Sequence, residues 1–274
     1  MQPASASEKL AQLRERLAGL GSCLIAFSAG VDSTFLLKVA IDVLGRDAVL
    51  AVTARSPSLA GDEAAEAERL AAQLGARLRI VDTQELDDPE YRANTGTRCY
   101  VCKRTLFTVM RDLARELDAR HILYGAIIDD LSDDRPGHRA ARECQVLSPL
   151  QDAGLTKAEI RELSRALGLP TWDKPQMACL ASRIPRGSVV TEEKLRAVEA
   201  AERLVKVAGF RQVRVRHHGT TARIEVEPHD VSRLSALVAG RAFAADFQLL
   251  GFHQIECDPH GYRTGTAAAH AAAV

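Results

Sequence analysis

The chain has 274 residues, 46% of them hydrophobic and 26% charged, a globular composition that excludes disordered and fibrous proteins. Thirty-six basic residues balance thirty-six acidic ones, for a formal charge of zero, which argues against a protein that grips long nucleic acid by bulk electrostatics. At about 100–200 residues per domain, this length predicts two domains.

The N-terminal MQPASASEKLAQLRERLAGLG is charged throughout and lacks the apolar segment of a signal peptide. No stretch reaches the roughly 18 apolar residues of a membrane span. The six cysteines, at 23, 99, 102, 144, 179 and 257, are therefore expected in a reducing cytoplasm, where close spacings mean metal or catalysis more often than disulfides.

In chain order, the apolar run 23–27 reads as a strand, followed by the small-residue turn 28–33 and a helix-patterned segment. A second strand at 48–53 precedes a Ser/Pro/Gly loop and an amphipathic helix that stops at Gly75, and a third strand is read at 77–82. A helix over 101–118 and a fourth strand over 121–125 follow. This alternation predicts an α/β fold with a doubly wound parallel sheet. Residues 126–150 read as loop, Thr156 to Glu159 opens a helix as a capping box, and 169–188 is again irregular. Beyond it come a helix over 191–208, strands at 211–217 and 221–227, a helix over 229–239 and a strand-like 246–256, the pattern of a small α+β domain. The expected division is a nucleotide-binding domain over 1–175, a smaller α+β domain for substrate or oligomerisation over 186–260, and a flexible tail over 261–274.

The turn Ser28-Ala29-Gly30-Val31-Asp32-Ser33 lies where open α/β sheets bind ligands, past the carboxyl end of a strand and ahead of a helix. Small residues let backbone N–H groups approach a phosphate, and the helix end adds partial positive charge. No Gly-Lys-Ser/Thr follows, which excludes a Walker A loop. Asp32 in an anion site calls for a cation such as Mg²⁺ or an orienting role. Cys99-Tyr-Val-Cys102 can chelate a metal, form a redox pair, or be two buried thiols; Cys179, in an irregular segment flanked by prolines, is a candidate third ligand. In the second domain Arg214 and Arg216 alternate with Val213 and Val215, which fits an anion clamp; the next strand offers Arg223, Glu225 and Glu227 on one face, and on the residues alone cross-strand Arg/Glu pairs on a solvated face are the expected account.

The segment from Phe27 to Ser33 resembles the SGGxDS loop of the PP-loop ATP pyrophosphatases, with Ala29 standing at the second Gly. More specifically, Arg98 to Lys103, Asp129 to Gly137, Ser148 to Leu150, Leu169 to Pro175 and Ala178 to Pro185 resemble the LarE family, over nearly the whole chain. The resemblance implies a homo-oligomeric, ATP-dependent sulfur transferase that converts the carboxylates of pyridinium-3,5-biscarboxylate mononucleotide to thiocarboxylates for the nickel-pincer cofactor of lactate racemase. It implies ATP and Mg²⁺ at residues 28–33, with Thr53, Ser56 and Gly125 beside the nucleotide, and Asp32 in catalysis. It implies either a sacrificial Cys179 or a 4Fe-4S cluster on Cys99, Cys102 and Cys179; the presence of all three favours the cluster. It places substrate at Asp130, Ser182, Arg183, Arg214 and Arg216, with Glu202 and Glu225 as candidate cation ligands. Among the acidic residues after the fourth strand, one or two of Asp129, Asp130, Asp133 and Asp134 are candidate Mg²⁺ ligands. Two other readings remain: a PP-loop tRNA thiolase, which should carry a basic RNA-binding surface, and an ATP sensor with structural zinc.

Overall fold

The strand Cys23–Ala26 (β1) is buried along nearly its whole length, the signature of a strand covered on both faces. The computed structural model describes residues 4–132, 136–175 and 178–263; Asp133, Asp134 and residues 264–274 of the expected tail lie outside them. The chain divides into two compact units, Met1–Glu85 with Cys99–Met177, and Leu86–Arg98 with Ala178–Val274. Leu86–Arg98, inside the first domain expected from the sequence, groups with the second unit.

The first unit opens with helix α1 (Ala6–Ala18), then β1, α2 (Val31–Leu44), β2 (Val49–Arg55), α3 (Gly61–Gln73) and β3 (Arg77–Asp82). The short α4 (Pro89–Arg92) belongs to the second unit and is followed by α5 (Arg98–Glu116). The first unit continues with β4 (His121–Tyr124), α6 (Pro136–Glu143), α7 (Pro149–Asp152) and α8 (Lys157–Ala166). Its four strands run parallel in the order β3-β2-β1-β4. The edge strand β3 alternates exposed and half-buried residues along its first half, whereas the first five residues of β2 are all buried, as neighbours on one side only dictate. Leu13 and Leu17 of α1, Phe35 to Leu37 of α2 and Ile160 of α8 close the core. The expected capping box at Thr156 and Glu159 is present in both directions. The loop expected over 126–150 contains the short helices α6 and α7. Because β2 and β3 extend from one side of β1 and β4 lies on the other, the sheet has its switch point between β1 and β4, where a crevice opens at the carboxyl ends.

The second unit carries α9 (Glu192–Val207), β5 (Val213–His218), β6 (Thr221–Val226), α10 (Val231–Val238), α11 (Arg241–Leu249) and β7 (Gln254–Cys257). β5 and β6 are antiparallel, and β7 joins β6 in parallel. Val205, Val215, Ile224, Phe247 and Phe252 form its core. The strand expected over 246–256 is corrected: 246–249 ends helix α11, and only Gln254–Cys257 is extended. Phe243 and Phe247 stand one helical turn apart with ring centroids at 4.9 Å, so the apolar run serves a helix face.

Candidate active site

Ser28 to Ser33 follow β1 at the switch point. Phe27 N–H still bonds the Val52 carbonyl (2.8 Å), and the chain then leaves the sheet with Ala29 in the left-handed region at φ 54°. Gly30 is the N-cap of α2 and supplies no side-chain cap, so the first N–H groups of α2 are not capped by a side chain, as an anion site requires. The hydroxyls of Ser28 and Ser33 lie 3.1 Å apart, and Ser28 N–H donates to Ser33 Oγ at 3.2 Å. Gly125, directly after β4, comes so close that a Cβ there would lie 3.1 Å from Ser33 N and 3.2 Å from Asp32 C. The two expected nucleotide segments thus meet, and a glycine at 125 is what lets them.

Asp32 Oδ2 accepts a hydrogen bond from Lys157 Nζ, and its buried Oδ1 has no hydrogen-bond partner among the described residues. Burial pushes the Asp32 carboxyl above the usual range, against the pull of Lys157. Lys157 is the first residue of α8, and its N–H donates to Asp129 Oδ2 at 2.9 Å. Asp130 Oδ2 accepts from Ile127 N–H at 3.1 Å, and its charge adds to the upward push on Asp32. Lys174 Nζ donates to the Ala29 carbonyl (3.0 Å) and to Glu66 (2.7 Å), while Arg161 binds the carbonyls of Trp172 and Lys174. Lys157, Arg161 and Lys174 are additions to the residues read from sequence. The capping box marks the start of the helix that carries Lys157 and Arg161 without saying where in space it points, and Lys174 lies in the block Leu169 to Pro175, which gave it no role.

Thr53 Oγ1 donates to the Phe27 carbonyl at 2.7 Å, tying β2 to the turn. Ser56 Oγ lies 3.0 Å from Ser58 Oγ, which donates to the buried Glu85 at 2.6 Å. Thr83 donates to the other oxygen of Glu85 at 3.1 Å. Ser56 is therefore placed by a buried carboxylate that the sequence did not single out. At the end of β4, Tyr124 Oη lies 2.9 Å from His138 Nδ1, and burial raises its pKa to about 12.

None of the six cysteines is in a disulfide. Cys99 and Cys102 occupy the first turn of α5, exposed and half-buried respectively, with the i, i+3 spacing that puts both on one face. Cys179, in the second unit, is half-buried and is the N-cap of the short turn Leu180–Arg183.

In the second unit the expectation of a solvated Arg/Glu face is overturned for Arg214, Arg216 and Glu225, whereas Arg223 forms a partly exposed pair with Glu256 of the next strand (3.0 Å). Val213 to Arg216 are all buried, with Arg214 4% and Arg216 6% exposed, because both faces of β5 are covered. Arg183 grips Glu202 through two bonds (2.8 and 3.1 Å), and Arg216 grips Glu225 likewise (2.9 and 2.8 Å). Glu202 also accepts the Val215 N–H at 3.0 Å. Both carboxylates are thus engaged by guanidinium groups. Arg216 further donates to the Ser182 carbonyl at 3.0 Å, and Arg183 to Ser182 Oγ at 3.1 Å. The Arg214 guanidinium donates to the Val213 carbonyl at 2.8 Å and lies over the Tyr262 ring. Burial and the positive charge of Arg183 lower its pKa.

A parallel sheet with an uncapped helix start and a small-residue turn at its switch point defines a nucleotide-binding α/β protein of the PP-loop type. No protein-family model matches the chain. It is 36% identical over 262 residues, 96% of this chain and 94% of the relative, to the pyridinium-3,5-bisthiocarboxylic acid mononucleotide synthase of Lactiplantibacillus plantarum. An uncharacterized protein of Synechocystis sp. is 42% identical over 94% of this chain and 96% of its own length. One of the subunits of the glutamine-hydrolyzing GMP synthase of Pyrococcus abyssi is 28% identical over 73% of this chain and 68% of its own length. The chain therefore belongs to the LarE family of pyridinium-3,5-bisthiocarboxylic acid mononucleotide synthases.

Proposed function

We propose that the protein is an ATP-dependent sulfur transferase that converts the carboxylates of pyridinium-3,5-biscarboxylate mononucleotide to thiocarboxylates for the nickel-pincer cofactor. The observation that carries this reading is the near full-length similarity to a named synthase of that product, joined to an anion cradle at the sheet's switch point.

The chemistry has two halves. A substrate carboxylate oxygen attacks the α-phosphorus of ATP, the bond to the bridging oxygen breaks, and pyrophosphate leaves. The resulting acyl adenylate then accepts a sulfur nucleophile at its carbonyl carbon, and AMP departs with the former carboxylate oxygen. The first N–H groups of α2 and the hydroxyls of Ser28 and Ser33 would hold the phosphates, with Thr53 and Ser56 beside the nucleoside. Lys157 would offset the developing charge on pyrophosphate, and Lys174 orients the Ala29 carbonyl. Mg²⁺ fits Asp32, whose buried Oδ1 is an oxygen ligand in want of a partner. Ser182, Arg183, Arg214 and Arg216 of the second unit would receive the mononucleotide, Arg214 through charge and the others by shaping its site.

For the sulfur we propose the cluster route. The donor set fits a 4Fe-4S group: Cys99, Cys102 and Cys179 are outside disulfides and none is fully buried. Such a group supplies, when bound, an open iron able to carry sulfide. Support comes from Arg98, the chain neighbour of Cys99, whose Nη1 donates to the Ala181 carbonyl at 2.7 Å, two residues beyond Cys179. The test is anaerobic iron and sulfide quantification with product analysis. Bound iron, lost in Cys99→Ala, together with thiocarboxylate product and an unchanged Cys179, is the expected result. A loss of about 34 Da at Cys179 after turnover, one H₂S, would mark the sacrificial route.

A further inference from the structure

The backbone around Cys179 is gripped through its carbonyl oxygens by Arg183 of the same segment and by side chains from distant parts of the second unit. Arg183 Nη1 donates to the carbonyls of Ala178 and Cys179, the latter at 2.9 Å. Arg98 Nη1 takes the Ala181 carbonyl at 2.7 Å and Arg216 Nη1 that of Ser182 at 3.0 Å. Asn94 Nδ2 shares its donors among the carbonyls of Ile184 (3.2 Å), Pro185 (2.7 Å) and Ser188 (3.1 Å). The Asn94 carbonyl in turn accepts the Gly187 N–H at 3.1 Å.

Arg183 and Arg216 already belong to the substrate region. Asn94 and Arg98 have no such assignment, yet they form a unit of their own: Arg98 Nη1 donates to Asn94 Oδ1 at 2.5 Å, so a single guanidinium nitrogen ties the asparagine to the Ala181 carbonyl. Asn94 is 1% exposed and stands at φ 52°, a conformation that asparagine tolerates better than most residues. An irregular loop normally leaves its carbonyls to water. Here a buried amide and a guanidinium replace that water over residues 181–188, which fixes the loop without any regular secondary structure.

We propose that Asn94 and Arg98 are positioning residues for sulfur transfer: they hold the Cys179 segment in the place from which sulfur is delivered to the acyl adenylate, and they take no part in forming that adenylate. This rests on the sulfur-transfer reading above. Adenylation needs the Ser28–Ser33 turn of the first unit, whereas Asn94 and Arg98 belong to the second. Attack at the acyl carbon depends on the placement of position 179, and a displacement of about 1 Å at a reacting centre costs on the order of a hundredfold in rate.

The experiment measures the pyrophosphate burst of the first turnover and the thiocarboxylate formed in the same reaction, with anaerobically prepared protein, Mg·ATP, sulfide and pyridinium-3,5-biscarboxylate mononucleotide. Asn94→Gly keeps the backbone conformation and deletes the amide; Arg98→Met deletes the guanidinium. In both variants the rate of the pyrophosphate burst is expected to stay within about threefold of wild type, while the rate of thiocarboxylate formation falls at least about tenfold. An unchanged rate of thiocarboxylate formation, or a parallel loss of the pyrophosphate burst and of thiocarboxylate in both variants, overturns the proposal. Failure of the functional reading itself is separable, because the wild-type protein would then form no thiocarboxylate.

Discussion

Lys157 and Asp32, 125 residues apart in the chain, share a hydrogen-bonded ion pair at the end of the nucleotide turn. The pair joins the first residue of α8 to the first turn of α2, so the carboxylate that would bind a cation already has a counter-charge beside it. Lys157→Met should leave the Asp32 carboxylate without its hydrogen-bonded cation. AMP formation is expected to fall about tenfold or more, and stability by only about 1 kcal/mol, since the lysine is partly exposed and solvent screens the pair. Pyrophosphate release and urea denaturation measure the two effects; wild-type pyrophosphate release would remove Lys157 from the nucleotide site.

Gly125→Ala should damage nucleotide binding more than folding. Its Cβ would press on Ser33 N at 3.1 Å and Asp32 C at 3.2 Å, both backbone atoms that cannot swing aside. The turn must shift, and the KM for ATP is expected to rise roughly tenfold to a hundredfold. Steady-state titration of ATP checks this.

Ala29→Gly is expected to stabilise the protein slightly. The left-handed φ of 54° costs an L-residue about 1 kcal/mol, and glycine adopts it freely, less the entropy glycine gains in the unfolded chain. Denaturant midpoints read the difference; a destabilised variant would mean that the packing of the alanine methyl outweighs its strain.

Glu202→Gln should be among the most damaging single changes outside the hydrophobic core. Arg183 and Glu202 are 2% and 4% exposed, and neutralising one partner leaves a buried guanidinium without its counter-charge, at a cost of about 3–5 kcal/mol. Chemical denaturation is the measurement.

Alkaline stability carries a further prediction. The Tyr124 hydroxyl is raised from 10.0 to about 12 by burial. The folded state thus keeps its proton where the unfolded chain has lost it. The stability this represents is complete below pH 10 and is lost as pH climbs through about 12. Tyr124→Phe should therefore lose less stability than wild type over that window, and the two denaturation profiles should run parallel below it.

The sequence alone determined the strand-turn-helix start, the parallel alternation of the first unit, the capping box of α8 and the family, because each is written in contiguous residues: apolar runs, a small-residue turn, ordered motif blocks. Its reading went wrong at 246–249, where an apolar run fits a strand or a helix face equally until Phe243 and Phe247 are seen to pack together. The tertiary structure decided the rest. Only folding brings Lys157 to Asp32, Gly125 against Ser33, Glu85 beneath Ser58, and Asn94 with Arg98 onto the carbonyls after Cys179. A buried charge or amide carries no local periodicity, since its partner is fixed by how remote elements exclude water between them. For the same reason Arg216 and Glu225 read as surface residues in a β-hairpin and emerge as an interior pair.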